Sequence, residues 1–376
     1  MTSLQRRATF ATLLALLAGC GGGYGSSSMT GMPSNVTISG AVLPTLATMS
    51  TVGSTIDPVE HGGNPYGLTV ATATAGLITQ GDFIVCNFND GATNTQGLGT
   101  TVIGLHPTAG AMPYRIAQSA QLQGCSSLTS LPDGSIVATA SQANATVLVT
   151  PSGTVTTPFS ADGFAEPWSV IYSTHAGEEV LYVSNVMTGA IDRITLNGDT
   201  QTAFTEIVTG FSTNKGAPGS ISAPAGLTYD AAIDTLYVVD TNANRVVALS
   251  NVSAIGTDGV TVSGTNFSGA SAASAKVIAS GAPLNGPISG ALLVNGDLVV
   301  GNTLDPNGTN LLIEISPASG VVATKNVDAG AAGAIFGIVT VPKTITTMGA
   351  YGPINTQTNE IYFNDDNTNT VVLLAQ

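Results

Sequence analysis

The stretch from Pro224 to Ser250, PAGLTYDAAIDTLYVVDTNANRVVALS, opens with Pro-x-Gly-apolar and then carries the short apolar run Leu236-Tyr237-Val238-Val239, which ends in Asp240. Runs this short, rich in β-branched and aromatic residues, are expected to be strands rather than helices. The same order recurs in Pro167-Trp168-Ser169-Val170 followed by Leu181-Tyr182-Val183-Ser184-Asn185, and in more divergent form elsewhere between Pro65 and Gln376. Six copies can be aligned, and they place Asn87, Ala140, Asn185, Asp240, Asn302 and Asp365 at one equivalent position, the end of each second strand. Third strands are expected from Thr101, Ala145, Ala190, Arg245, Leu311 and Val371, and Gly-containing turns such as Pro151-Ser152-Gly153 lead most of them into a fourth. A unit of this length cannot bury its own apolar face, so the copies must stack around an axis and share a core. The expected fold is all-β: a six-bladed β-propeller of four-stranded antiparallel blades. Blade 6 runs out of chain after its third strand, which leaves an edge that would invite aggregation. The stretch Thr45 to Ile56 is therefore expected to supply the missing outer strand and close the ring.

Pro-x-Gly-Leu, Leu-Tyr-Val-Val-Asp and Asn244-Arg245-Val246 together resemble the NHL repeat. The chain is similar in this to bacterial NHL-type propeller lipoproteins, a resemblance that spans about residues 65 to 376 and is strongest in blades 1, 3 and 4. That family includes enzymes, ligand binders and interaction modules, so the fold alone does not decide function.

The N-terminus points to export. Arg6-Arg7 precede an apolar run from Ala8 to Leu17, and Leu17-Ala18-Gly19-Cys20 closes it; the run is too short to span a bilayer and fits a secretory signal. A Cys after small residues resembles the bacterial lipoprotein processing site. The division that follows is a signal peptide at 1–19, a Gly/Ser-rich tether at 20–35 and the propeller at 36–376. Cys20 would be the mature N-terminus, carrying acyl chains such as palmitate, and Gly21 after it matches the sorting rule for the outer membrane. The protein is thus expected in the cell envelope, touching the membrane through its lipid anchor only, as a monomer. With Cys20 lipidated, Cys86 and Cys125 remain, and in an exported protein they are expected to form a disulfide between blades 1 and 2.

Nine Lys and Arg stand against 23 Asp and Glu, for a net charge of −14. That balance repels phosphates and excludes nucleic-acid binding through a basic patch. Two rings of side chains are expected on the face that carries the Pro-x-Gly starts. The inner ring, the residue before each Gly or Ser, comprises Tyr66, Ser126, Trp168, Ala225, Ile288 and Phe336. Its aromatics Tyr66, Trp168 and Phe336 could stack a flat or apolar ligand at the channel mouth, or pack between blades. The polar ring is Asn87, Asn185, Asp240, Asn302 and Asp365. Its amides and carboxylates could bind a sugar or peptide, or accept hydrogen bonds from the turn that follows each strand.

Enzymatic readings find little in the sequence. Propellers of the gluconolactonase and senescence-marker type hold a divalent metal with Glu, Asn and Asp before the Gly of several first strands. Here the inner-ring residues occupy those places, and Glu166 lies two positions early. His61, His106 and His175 have no metal-ligand spacing. The loops Asp305-Pro306-Asn307-Gly308, Asp365-Asp366-Asn367 and Asn87-Phe88-Asn89-Asp90 resemble calcium-loop chemistry without a full ligand spacing. No catalytic residue, metal or cofactor is assigned. The expected function is binding of a protein partner or small molecule; the alternative is an extracytoplasmic lyase or hydrolase acting on a carbohydrate or lactone in the central funnel.

Overall fold

A computed structural model describes residues 34–37, 40–159, 163–306, 308–349 and 352–376. The signal peptide, Cys20 and all but the end of the tether lie outside the described residues. Among the described residues the strands fall into six sheets. Their innermost strands are Gly63–Val70, Cys125–Ser130, Pro167–His175, Pro224–Asp230, Pro287–Leu292 and Ile335–Gly349. Each contacts the next in chain order, and the last contacts the first. This closed ring of radiating antiparallel sheets is a β-propeller.

Alternation along one strand shows why the copies must stack. In Thr235–Asp240, Leu236 and Val238 pack into the apolar cluster shared with blade 3, while Tyr237 and Val239 pack into the one shared with blade 5. Successive side chains of a strand point to opposite faces, and here both faces are covered, so the run is continuously apolar. Six clusters of this kind straddle the six pairs of adjacent blades, and a seventh lies on the axis. Each fully buried Leu, Val or Ile in them contributes on the order of 1.5–3 kcal/mol.

Ring closure uses the N-terminal segment. Thr48–Ser54 pairs antiparallel with Thr370–Ala375 and completes blade 6. Ahead of it, Val42, Leu43 and Leu46 are fully buried between blades 5 and 6. Their turn is latched by the buried Glu314 carboxylate, which accepts hydrogen bonds from the Val42 and Leu43 N–H groups, both at 2.8 Å. Farther upstream, Ser34–Thr37 forms a short strand parallel to Ile354–Gln357, which takes in the last two residues of the expected tether.

Three features depart from a simple array. The hairpin of Ile335–Gly349 and Gly352–Asp365 extends well past the other blades. An insertion in blade 4 forms the hairpin Val260–Ser263 and Asn266–Ser268, which pairs onto the outer strand of blade 3 and enlarges that sheet to six strands. Ala270 to Ala279, the nearest approach to a helix in the sequence, is a single 3-10 turn at Ala272–Ser274 followed by the strand Ala275–Ser280. Cys86 and Cys125, on adjacent blades, are joined by a disulfide across a Cα separation of 5.4 Å.

A chain beginning at Gly63 loses the closing strand and the buried Val42, Leu43, Leu46 and Val52. Its melting temperature should fall by roughly 10 °C or more, given the apolar area lost and the size of the domain. Thermal unfolding of the two chains side by side checks this, and equal melting would show that the closure is dispensable.

Candidate functional site

Each inner strand begins with the same irregularity. Pro65 pairs with Asn87, Cys125 with Ala140, Pro167 with Asn185, Pro224 with Asp240, Pro287 with Asn302 and Ile335 with Asp365, and after each pair the register shifts. A bulge of one extra residue re-aims the side chain that follows it. The residues so displaced are the inner ring, Tyr66, Ser126, Trp168, Ala225, Ile288 and Phe336. Close approach of the next blade explains the small residue after them: a Cβ on Gly226 would lie 2.7 Å from the Ile288 carbonyl oxygen, and one on Gly337 would lie 2.6 Å from Leu68 Cβ.

The aromatic members of the ring meet one another rather than packing between blades. Tyr66 is stacked between Phe88, at 4.1 Å, and Phe336, at 3.9 Å, while Trp168 leans on Tyr66 and Phe88 at 5.8 and 5.7 Å. Ala225, Ile288 and Val186 complete this plug on the axis, with Ile221 and Phe336 packed at its margin. Tyr66 and Trp168 are buried, and Phe336 is half-buried at the open end of the stack. On one side of the plug the axial channel is a cavity of about 350 Å³ lined by the inner strands, from Tyr66 to Val70 in blade 1 through Phe336 to Thr340 in blade 6. On the other side lies a bowl of about 390 Å³.

Tyr66, Trp168, Ile288 and Phe336 form the floor of the bowl, and Thr241, Thr303 and Asp366 stand among its walls. The segment between Phe211 and Ala223 lies over one side. It is organised by Asn214, whose Oδ1 accepts from the Gly216 and Ser222 N–H groups at 2.9 and 2.8 Å and whose Nδ2 donates to the Ser220 carbonyl at 2.7 Å. This strap reaches blade 1, where Pro218 lies against Gly97 and Gly219 against Gln96.

The polar ring lies elsewhere. Asn87, Asn185, Asp240 and Asn302 are fully buried and Asp365 nearly so, and none lines the bowl. Asn87 Nδ2 donates to the Thr55 carbonyl at 3.0 Å, and Asn185 Oδ1 accepts from Ala165 N–H at 3.0 Å. Asp240 accepts from Arg245 Nε at 2.8 Å and from Ala243 N–H at 3.2 Å. Asn302 bonds the Asn285 N–H and the Pro283 carbonyl, and Asp365 the Thr368 N–H. These side chains hold the loops that frame the face. The residues that follow them, Phe88, Val186, Thr241, Thr303 and Asp366, are those that turn to the axis or the bowl. A shift of one position along a strand exchanges its faces, and the period-two alternation was the signal that could have identified this second set.

The histidines lie outside the bowl, and among the described residues of the acidic loops only Asp366 reaches it. His106 pairs with Asp82 at 2.7 Å and His175 approaches Asp234 at 3.9 Å, both away from the bowl, and His61 sits in the loop before blade 1. Among the described residues no three His, Cys, Asp or Glu side chains are grouped to hold a metal. Asn307, part of one calcium-like loop, lies outside the described residues. In that region Asp305 accepts from Asn302 Nδ2 and Leu311 N–H, and Asp328 binds Asn310, Gly330 and Asn367.

No family model matches the chain, and no curated protein matches it. Solved structures do. Virginiamycin B lyase from Staphylococcus aureus is similar over 88% of this chain and 99% of its own, at 13% identity and a TM-score of 0.51. A gluconolactonase-type protein is similar over 89% and 93% of the two chains, at 10% identity and a TM-score of 0.53. A streptogramin B lyase covers 87% and 97%, at 12% identity and a TM-score of 0.50. At these identities the likeness establishes the propeller fold.

One buried carboxyl makes the domain sensitive to pH. Asp192 is fully buried on the third strand of blade 3, where it accepts a hydrogen bond from Asn185 Nδ2 through one oxygen while the other has no partner. Burial pushes its carboxyl up to about 7, against the Asn185 bond that favours the ionised form, with Glu206 adding repulsion. In the unfolded chain it ionises near the ordinary value of about 4. Between these two values the native state keeps a proton that the unfolded chain releases, so this contribution to stability is greatest in acid and is lost as pH rises through the window. Asp192→Asn should therefore gain stability over the wild type by a few kcal/mol at about pH 7.5 and by much less at about pH 4.5. Urea midpoints for both proteins at both pH values test this; parallel curves with no change in their separation would refute it.

Proposed function

We propose that this chain is a lipid-anchored cell-envelope propeller of NHL-like type that binds a small, flat, largely apolar molecule in the bowl. The observation that carries the reading is the half-buried ring of Phe336, at the open end of a three-ring stack and on the floor of a cavity of about 390 Å³. A ligand ring placed there would continue the stack. Aromatic contacts of this kind supply large area at small rotamer cost. The strap and the walls offer amides and hydroxyls, which suit hydrogen bonding to a mostly uncharged molecule. Support for the anchor is the Leu17-Ala18-Gly19-Cys20 motif after the apolar run.

The alternative, a lyase or hydrolase acting on a carbohydrate or lactone, draws support from similar solved structures that are lyases and gluconolactonases. Acid–base chemistry would call for convergent ionisable groups within reach of a substrate. Among the described residues Asp366 is the one carboxylate lining the bowl, and its phenolic neighbour Tyr66 is pushed far up by burial. A histidine-to-alanine variant of the staphylococcal lyase is catalytically inactive; in this chain none of the three histidines lines the bowl. The geometry favours binding.

Phe336→Ala should weaken binding of a neutral flat molecule such as naphthylmethanol by about tenfold or more, while moving the melting temperature by only a few degrees because the ring is half-exposed. Emission of Trp168, the single Trp of the chain, reports occupancy of the floor. Unchanged binding in Phe336→Ala would sink the bowl as the site. Cys20→Ser should move the protein from the membrane to the soluble fraction, and retention in the membrane at unchanged mass would remove the anchor from the proposal.

A further inference from the structure

The walls and floor of the bowl include one side chain that carries charge near neutrality, and it is negative. No Lys, Arg or His is among the lining residues, and the polar groups other than Asp366 are hydroxyls and amides. Asp366 lines the same bowl as the half-buried Phe336 ring. In blade 6 Ile335 pairs with Asp365 on antiparallel strands, so Phe336 and Asp366 lie on either side of that pair, and the Asp366 N–H donates to the Ala334 carbonyl at 2.8 Å; both border the bowl, and the Asp366 charge reaches Tyr66, on which Phe336 stacks at 3.9 Å. A carboxylate and a π-face thus border the same space without a resident cation.

We propose that the bowl takes an organic cation, a flat ring carrying a protonated amine, with the ring on Phe336 and the ammonium group against Asp366. This rests on the bowl being the binding site and names the chemical class that fits it.

Electrostatics favour that class over its neutral and anionic counterparts. Asp366 is partly withdrawn from water, and the Asn64 amide lies 2.9 Å from its Oδ1, a donor to it once the amide is turned with its nitrogen toward Asp366; a carboxylate has acceptor capacity beyond one such bond. A carboxylate in such a place is stabilised by an incoming cation and repels an incoming anion. The outer face of Phe336, at the end of the stack, presents the negative side of its quadrupole, which attracts the same sign of charge. Across the whole chain a net charge of −14 adds a long-range field of the same preference.

Two titratable groups face Asp366. Asp365 precedes it in sequence and repels it, and Tyr66 lies on the floor below; Asp328 acts in turn on Asp365. Burial, with the repulsion of Asp365 added, pushes the Asp366 carboxyl up to about 6. In the empty bowl the group therefore exchanges its proton just below neutrality, and a bound cation draws it back toward the ionised form. Affinity for a cation should fall as the solution is acidified through this range, whereas affinity for a neutral ring should not.

Three naphthalenes of matched shape separate the possibilities: naphthylmethylamine, naphthylmethanol and naphthoate, each titrated against Trp168 emission in the full-length protein. The amine should bind about tenfold or more tightly than the alcohol at about pH 8, a difference of roughly one ion-pair or cation–π contact. That advantage should vanish at about pH 4.5, where Asp366 is protonated. It should vanish also in Asp366→Asn, where amine and alcohol bind alike, and persist in Asp366→Glu. Equal binding of amine and alcohol, tighter binding of naphthoate, or an amine preference that survives in Asp366→Asn would overturn the cation inference and leave the bowl reading standing. Failure of all three compounds to alter Trp168 emission or thermal stability would overturn both.

Discussion

The ring depends on how the innermost strand of each blade satisfies its free edge. Such a strand has a sheet partner on one side only, and its remaining carbonyls would face the axis unpaired, at a cost of about 1–3 kcal/mol each if buried without a partner. The neighbouring blade supplies the donors. Ser126 and Thr139 of blade 2 donate to the Trp168 carbonyl of blade 3, both at 2.8 Å, and Ser184 of blade 3 to the Ala225 carbonyl of blade 4 at 2.8 Å. Thr241 and Thr228 of blade 4 reach the Pro287 and Gly290 carbonyls of blade 5 at 2.6 and 2.8 Å, and Asn364 of blade 6 reaches Gly67 of blade 1 at 3.0 Å. Thr139, Ser184 and Asn364 all precede the last paired residue of their second strand. Cys86 occupies the same position in blade 1, and there the link to the next blade is covalent. A chain so poor in charge and so rich in Ser, Thr and Asn is built for this kind of joint.

A second set of joints lies on the face that carries the bowl. Asn144, Asn244 and Asn369 precede third strands in the left-handed conformation, at φ of 52°, 48° and 50°, which Asn tolerates better than most residues. Their amide oxygens accept the Glu166, Gly286 and Asn64 N–H groups at 2.8, 2.7 and 2.6 Å, at or just ahead of the start of the next inner strand around the ring. The rim is thereby tied to the starts of the strands whose bulges aim the floor residues. Loop geometry and floor geometry are one construction.

Much of this was legible in the sequence. The repeated Pro-x-Gly starts and buried apolar runs specify a propeller because period and burial agree, and the short supply of strands in blade 6 pointed to Thr45 to Ile56, within which Thr48–Ser54 is the closing strand. The membership of the inner ring was legible too, while the sequence left open whether its aromatics face the axis or pack between blades, a choice the bulge at each strand start makes. Other features were not. Conspicuous Asn and Asp residues at strand ends drew attention to the polar ring, whereas the alternation of the strand sends the less conspicuous residue after each of them to the bowl. Phe88 and Asp366 belong to that set. The strap around Asn214 and the added hairpin on blade 3 depend on contacts between segments far apart in the chain, for which local pattern carries no signal.

The order in which the N-terminal segments attach to the ring has a mechanical consequence. Among the described residues, tension from the N-terminal side meets the four-residue strand Ser34–Thr37 before the turn latched by Glu314, and both before the strand Thr48–Ser54 that completes blade 6. Short pairings detach at lower load than long, well-packed ones, and detaching the first two leaves all six sheets closed. The leading segments act as a fuse in series, able to lengthen the connection to whatever holds that end while the bowl keeps its shape.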